Sequence, residues 1–236
     1  MSAPTVMWFR RDLRTADNAA LAEATAAGPV VCAWVRDPAL LARRHHRAPA
    51  RLAFLRDGLV ALDADLRARG SRLVVRTGAP EDVLAGICRD AGARQVVHAR
   101  EVSPWGRARD ARAAAALARD GVRVDAVGGD LLVDPDDLPG SSGHGYRVFT
   151  PFWSAWRAFP IPAHVPAPHR IDGPALAGDD PGHLADGASP VPAGAAAARD
   201  ALVRFVRDGG ADGYAAARDD PAADATSRLS AYLRLG

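Results

Sequence analysis

The feature that most restricts the fold is a regular alternation, over residues 1–127, of short apolar runs with longer helical stretches. Val6–Phe9, Val30–Val35, Leu73–Val75, Val96–Ala99 and Val122–Val127 read as strands. Val30–Val35 is almost continuously apolar, as expected of a strand buried on both faces. Between them, Asn18–Ala27 is an alanine-rich helix stopped by Gly28-Pro29. Arg51–Arg69 carries Leu52, Leu55, Leu59, Leu62 and Leu66 on one helical face and ends at Gly70. Pro80–Ala91 opens on proline and closes on Gly92, and Trp105–Arg119 ends at Asp120-Gly121. Strands separated by helices imply parallel pairing through right-handed crossovers, with helices on both faces. The predicted fold is therefore α/β, a five-stranded parallel doubly wound (Rossmann-like) sheet, followed by a long linker and a short α-helical stub. Ligands on such sheets sit beyond the carboxyl ends of the strands, where the strand order reverses.

Several nucleotide-enzyme classes are excluded by what the first turn contains. A dinucleotide fold would place G-x-G-x-x-G after the first strand, whereas this chain has Arg10-Arg11-Asp12-Leu13-Arg14. The glycine-rich run Gly140–Gly145 follows no strand and opens no helix, so it reads as a flexible loop and not a phosphate cradle. No Walker motif occurs, and the seven histidines lack zinc spacing. No nucleophile or acid/base dyad stands out, so no catalytic residue is assigned. In the first turn, Asp17 or Asn18 is expected to cap the following helix while the arginines tie down the loop.

At 236 residues there is room for one full domain and a fragment, or two small domains. All 30 basic residues are arginine, and the net charge is only +2. Arginine abundance reads as a compositional bias and is only weak evidence for nucleic-acid binding. Cys32 and Cys88 form no CxxC pair and are expected to be buried free thiols in a reducing cytoplasm. The first residues have no long apolar stretch, and no run approaches membrane-spanning length, so a cytoplasmic protein with no membrane partner is expected.

Two stretches leave the ends of strands toward the expected crevice. One is Trp34-Val35-Arg36-Asp37-Pro38, with Arg51 opening the next helix after an Arg/His cluster at 43–47. The other runs from Glu101 through Trp105, Gly106 and Arg109 to Asp110. Farther on, residues 128–193 change character, with an aromatic patch (Tyr146, Phe149, Phe152, Trp153, Trp156, Phe159) and then many prolines. Gly173–Ala193 reads as loosely ordered. Ala195–Asp208 is a short helix with Leu202, Val203, Phe205 and Val206 on its apolar side. Finally, Thr226-Ser227-Arg228-Leu229-Ser230 precedes the apolar residues Tyr232, Leu233 and Leu235, as at a helix N-terminus. Its hydroxyls suit either plain capping or, with the free amides and an arginine, an anion.

The motifs WFRRDLR (Trp8–Arg14), Tyr146–Phe152 and GYxxxRDxP…TSRLSxYL (Gly213–Leu233) recur here in the order found in the DNA photolyase/cryptochrome family, which the chain resembles throughout its length. The resemblance implies an antenna domain at 1–130, an interdomain linker at 131–193 and an incomplete start of the helical FAD-binding domain at 194–236. It implies FAD contacts at Tyr214, Thr226, Ser227, Arg228, Leu229 and Ser230, and a DNA-facing Arg218. It implies an antenna chromophore held near Trp34, Arg36, Asp37, Arg51, Glu101, Trp105, Gly106 and Arg109. Pro104-Trp105-Gly106-Arg107 is more similar to the 8-hydroxy-5-deazaflavin type than to the methenyltetrahydrofolate type, which presents Asn-Glu there. A flat heteroaromatic needs an aromatic wall and a few placed donors, such as Trp34, Trp105, Arg51 and Arg109. The alternative puts both tryptophans in the core and pairs the arginines with Asp37 and Asp110. The implied activity is light-driven repair of cyclobutane pyrimidine dimers in DNA by electron transfer from reduced FAD, a carbon–carbon lyase reaction, in a protein monomeric at full length. The isolated chain is expected to be inactive. A cryptochrome-like blue-light receptor and a module binding only the antenna are the rival readings; a nucleotidyl-transfer domain fits the fold but lacks its motifs.

Overall fold

Strand order explains where a ligand can sit. The structure is a computed structural model that describes residues 2–42, 48–129, 131–138, 140, 143 and 145–235. The Arg/His cluster at 43–47, and Ser141, Ser142 and His144 of the glycine-rich loop, lie outside the described residues. Strands β1 (Thr5–Phe9), β2 (Val30–Arg36), β3 (Leu73–Thr77), β4 (Gln95–Arg100) and β5 (Arg123–Gly129) form one parallel sheet in the order β3-β2-β1-β4-β5. The order reverses between β1 and β4, so the loops leaving those two strands diverge and open a crevice at their carboxyl ends.

Both faces of the sheet are covered. On one side, α1 (Ala19–Ala27) and α3 (Pro49–Arg67) bury Leu21, Leu59, Leu62 and Leu66 against Met7, Phe9, Cys32 and Trp34. On the other, α4 (Pro80–Ala91) and α5 (Pro104–Arg119) bury Leu84, Ile87, Ala113 and Leu117 against Val6, Trp8, Val31 and Val35. Two-sided burial is why β1 and β2 are apolar almost without interruption. Between β2 and α3 lies one further turn, α2 (Pro38–Leu41).

Local chemistry sets the helix starts. Asn18, and not Asp17, caps α1: its Oδ1 accepts from the Leu21 amide at 3.0 Å. Asp17 instead takes a positive φ of 53° and pairs with the linker, its amide donating to the Val165 carbonyl at 2.6 Å. Ser103 caps α5 by accepting from the Gly106 amide at 3.1 Å. Cys32 and Cys88 are buried free thiols, and burial pushes their pKa values up to about 12 and about 11. Such thiols are inert. Among the described residues, no helix is long and apolar enough to cross a membrane.

The linker corrects the expectation of a loosely ordered stretch at 173–193. The Val30 amide donates to the Asp172 carbonyl at 2.6 Å, and the Asp179 amide to the Val75 carbonyl at 2.8 Å. Asp179 forms an antiparallel bridge with Val75, and Arg56 donates to the carbonyls of Ala185 and Gly187 at 2.8 and 2.7 Å. Gly173 and Gly178 permit this approach, since a Cβ on Gly173 would overlap the Val30 carbonyl oxygen. The segment therefore docks on the sheet and pairs with its β3 edge at Val75.

Before this stretch comes α6 (Phe149–Arg157), and after it come α7 (Ala195–Arg207), α8 (Gly210–Ala217) and α9 (Ser230–Leu235). Along α6 the rings of Phe149, Trp153 and Trp156 stack in series, at 6.2 and 5.3 Å between centroids.

Candidate functional site: a cavity at the switch point of the sheet

A cavity of about 900 Å³ opens at the carboxyl ends of β1, β2 and β4. Its size lies within the range of small-molecule sites. Trp8, Phe9, Arg10 and Arg11 come from the end of β1 and its turn; Trp34, Val35 and Asp37 come from the end of β2. Arg51, Leu52, Phe54 and Leu55 supply the first turns of α3. Glu101, Ser103, Trp105 and Arg109 come from the end of β4 and from α5. The leucine stripe of α3 thus divides: Leu52 and Leu55 border the cavity, while Leu59, Leu62 and Leu66 fill the core.

A further wall arrives from the far end of the chain. Ser230, Ala231, Arg234 and Leu235 of α9 line the cavity, with Pro190 and Val191 beside them. The helix is held in place by Tyr232, buried against Phe54 at 5.5 Å, and by the Leu13 amide donating to the Leu235 carbonyl at 2.8 Å. Arg11 Nε donates to the Arg234 carbonyl at 3.3 Å.

Charge in the cavity is ordered by a few carboxylates. Asp110 holds Arg10 at 2.6 Å and Arg109 at 2.7 Å. Burial alone would raise the Asp110 carboxyl, but the Arg10 and Arg109 guanidiniums outweigh it and hold it below the ordinary range. Glu101 behaves alike: burial opposes ionisation, yet the Ser103 amide and the Arg11 and Arg10 guanidiniums keep its pKa low. Its Oε1 accepts from the amides of Val102 and Ser103, both at 3.1 Å. Burial and then Arg10 lower the Arg109 pKa, with Asp110 opposing them. Asp37 caps α2, accepting from the Ala39 and Leu40 amides at 2.9 and 3.3 Å.

Most of the residues expected around an antenna chromophore are brought together. Trp34, Asp37, Arg51, Glu101, Trp105 and Arg109 all line this cavity. Arg36 does not; two of its guanidinium nitrogens are buried with no hydrogen-bond partner among the described residues. Gly106 stands behind Glu101, and a side chain there would overlap the Glu101 Cγ, so its role is close approach and not contact with the cavity. The alternative reading of these residues also holds in part. Trp34 belongs to the core as well as to the wall, and Arg109 does pair with Asp110, whereas Asp37 serves backbone amides. Planar indoles, guanidinium donors and an ionised carboxylate acceptor together fit a flat heteroaromatic bearing an acidic substituent.

Residues 5–169 match the family model described as DNA photolyase. The chain belongs to the DNA photolyase family. It is 34% identical to the deoxyribodipyrimidine photo-lyase of Synechococcus sp., covering all of this chain and 52% of that relative. Over 69% of its length it is 32% identical to Cryptochrome-1 of Arabidopsis thaliana, covering 24% of that protein. The crystal structure of a bacterial class III photolyase from Agrobacterium tumefaciens superposes with a TM-score of 0.88 at 33% identity, over 99% of this chain and 50% of that one. The chain thus spans about half the length of the photolyases it matches.

The residues that the photolyase resemblance assigns to FAD are less gathered. Tyr214 on α8 is exposed, with Phe205 edge-on at 6.5 Å and the Arg218 guanidinium 5.9 Å from its ring. Arg228 takes a φ of 53° and pairs with Asp224 at 2.9 Å. Thr226 is exposed, and Ser227 and Leu229 are half-buried. Ser230 opens α9 and borders the cavity at the sheet. Sequence reading missed Trp8, Arg10, Arg11 and Arg234 as cavity residues. WFRRDLR did carry a signal for the first three, because it leaves the strand next to the switch point. Its arginines tie the loops together, as expected, and line the cavity too.

Proposed function

We propose that the cavity at the switch point holds a planar antenna chromophore and serves a light-driven deoxyribodipyrimidine photolyase, in which reduced FAD splits cyclobutane pyrimidine dimers in DNA. The single observation that carries the reading is the convergence of Trp34, Trp105, Arg51, Arg109 and Glu101 on one cavity of about 900 Å³. The indoles offer flat apolar walls, the guanidiniums take an acidic substituent, and Glu101, held ionised, accepts from a ring N–H. The Trp105-Gly106 pair favours 8-hydroxy-5-deazaflavin over methenyltetrahydrofolate as the occupant. FAD supplies the electron chemistry when bound; Tyr214 and Thr226–Ser230 would contact it, and the exposed Arg218 would face DNA.

Because relatives are about twice as long, we assign repair to a chain that includes their remaining half, monomeric and cytoplasmic. Purified protein mixed separately with 8-hydroxy-5-deazariboflavin, methenyltetrahydrofolate and FAD, then desalted, is expected to keep only the deazaflavin in its absorption spectrum. Retention of neither antenna compound would remove the basis of the reading, and retention of the folate would reassign the cavity. Illuminated with FAD and dimer-containing DNA, the isolated chain is expected to repair nothing. A blue-light receptor is the second reading, favoured by the likeness to Cryptochrome-1; dimer splitting by a full-length homologous chain separates the two.

A further inference from the structure

The floor of the cavity stacks cations on indoles. The Arg10 guanidinium carbon lies 5.0 Å from the Trp8 ring centroid, and that of Arg109 lies 4.9 Å from it. Arg109 also lies 5.3 Å from the centroid of Trp105. Trp8 is 2% exposed and Arg109 6%. Asp110 fixes both guanidiniums, so neither is free to swing off the rings. Bringing two like charges into a buried site is unfavourable, and packing alone would be served as well by an apolar side chain at position 109. The arrangement calls for a reason beyond stability.

An indole beside a light-absorbing heteroaromatic is an electron donor to it. An electron passes from the indole to the photo-excited ring and returns by recombination, with no net redox change, and the excitation is lost as heat. Positive charge over the indole face opposes the first step, because it stabilises the neutral ring relative to its radical cation. The effect is largest where water is excluded. We propose that Arg109, together with Arg10, keeps Trp8 and Trp105 from quenching the excited state of the chromophore that the cavity holds. This rests on the antenna reading above. Arg109 is on this account a positioning residue that acts through two indoles, and the same residues that wall the cavity are made photochemically silent.

The test is the fluorescence lifetime of bound 8-hydroxy-5-deazariboflavin. In Arg109→Gln it is expected to shorten at least about threefold. Arg109→Lys, which restores the charge, should return it close to the original value. Adding Trp8→Phe and Trp105→Phe to Arg109→Gln should restore it as well, which a merely structural role of Arg109 does not explain. Should Arg109→Gln fail to fold or to take up the probe, Arg10→Gln is read in its place, with a smaller shortening that Trp8→Phe abolishes. A lifetime unchanged by loss of the guanidinium, or a shortening that survives removal of both indoles, would overturn the proposal. Failure of the unaltered protein to bind the probe is seen in absorption alone and would overturn the antenna reading, and this inference with it.

Discussion

His98 shows how the buried charges around Trp8 act on a single side chain. It is 3% exposed, edge-on to Trp8 at 5.5 Å, with Nδ1 2.9 Å from the Ala99 carbonyl oxygen. A carbonyl accepts only, so the neutral ring carries its proton on Nδ1. Burial first, and then the Arg10 guanidinium, lower the His98 pKa. The unfolded chain therefore takes up a proton near pH 6.5 that the folded chain resists. Stability is expected to fall as pH drops below that value, and to level off once the folded ring protonates. Urea unfolding at a series of pH values, between about 7.5 and 5, should show a shallower pH dependence in His98→Phe than in the parent. Parallel curves would mean that His98 is not buried neutral in solution. Sequence alone offered no sign of this role, because it arises from burial and from Arg10, which lies far from His98 along the chain and meets it only in the fold.

Elements differ in how openly they are written in the chain. The strands and helices of residues 5–129, apart from the single turn α2, were legible to within a residue or two, because two-sided burial demands apolar runs and the helices carry their own stripes and stops. The cavity residues that leave β2 and β4 were legible because ligands gather at the carboxyl ends of parallel strands, whereas those that leave β1 were missed. Residues 159–193 were not, because their order comes from backbone hydrogen bonds to β2, β3 and α3, which leave no periodicity in the side chains. Gly173 is the element's weak point. Gly173→Val is expected to force the segment off the Val30 carbonyl and to cost about 1–3 kcal/mol, the usual penalty of overpacking. Cleavage by trypsin after Arg170 should accelerate in the variant; an unchanged cleavage rate would show that the segment can shift without detaching.

At the scale of the whole molecule, the cavity joins the first strand of the chain to its last helix. Trp8 and Arg10 stand on one side and Ala231, Arg234 and Leu235 on the other, so a ligand seated between them recognises only the assembled chain. Ligand at about 100 times its Kd should then stabilise the folded state by about 2.7 kcal/mol through mass action. The α9 wall is the part that sequence reading could not place, since nothing in the spacing of Ser230–Leu235 points back to β1. Its anchor is Tyr232 on Phe54. Removing that ring in Tyr232→Ala should cost roughly 3 kcal/mol of packing, by analogy with other large aromatic truncations. That exceeds what one short helix can recover from the two hydrogen bonds, one from the Leu13 amide and one from the Arg11 side chain, that tie it to the first turn. The helix should undock while the sheet, with its separate cores, stays folded. Deazaflavin binding is then expected to weaken by roughly tenfold or more, since tenfold corresponds to about 1.4 kcal/mol, and hydrogen exchange should quicken at α9 alone. Undiminished affinity with exposed α9 amides would show that the sheet-side residues suffice and that the last helix only borders the ligand.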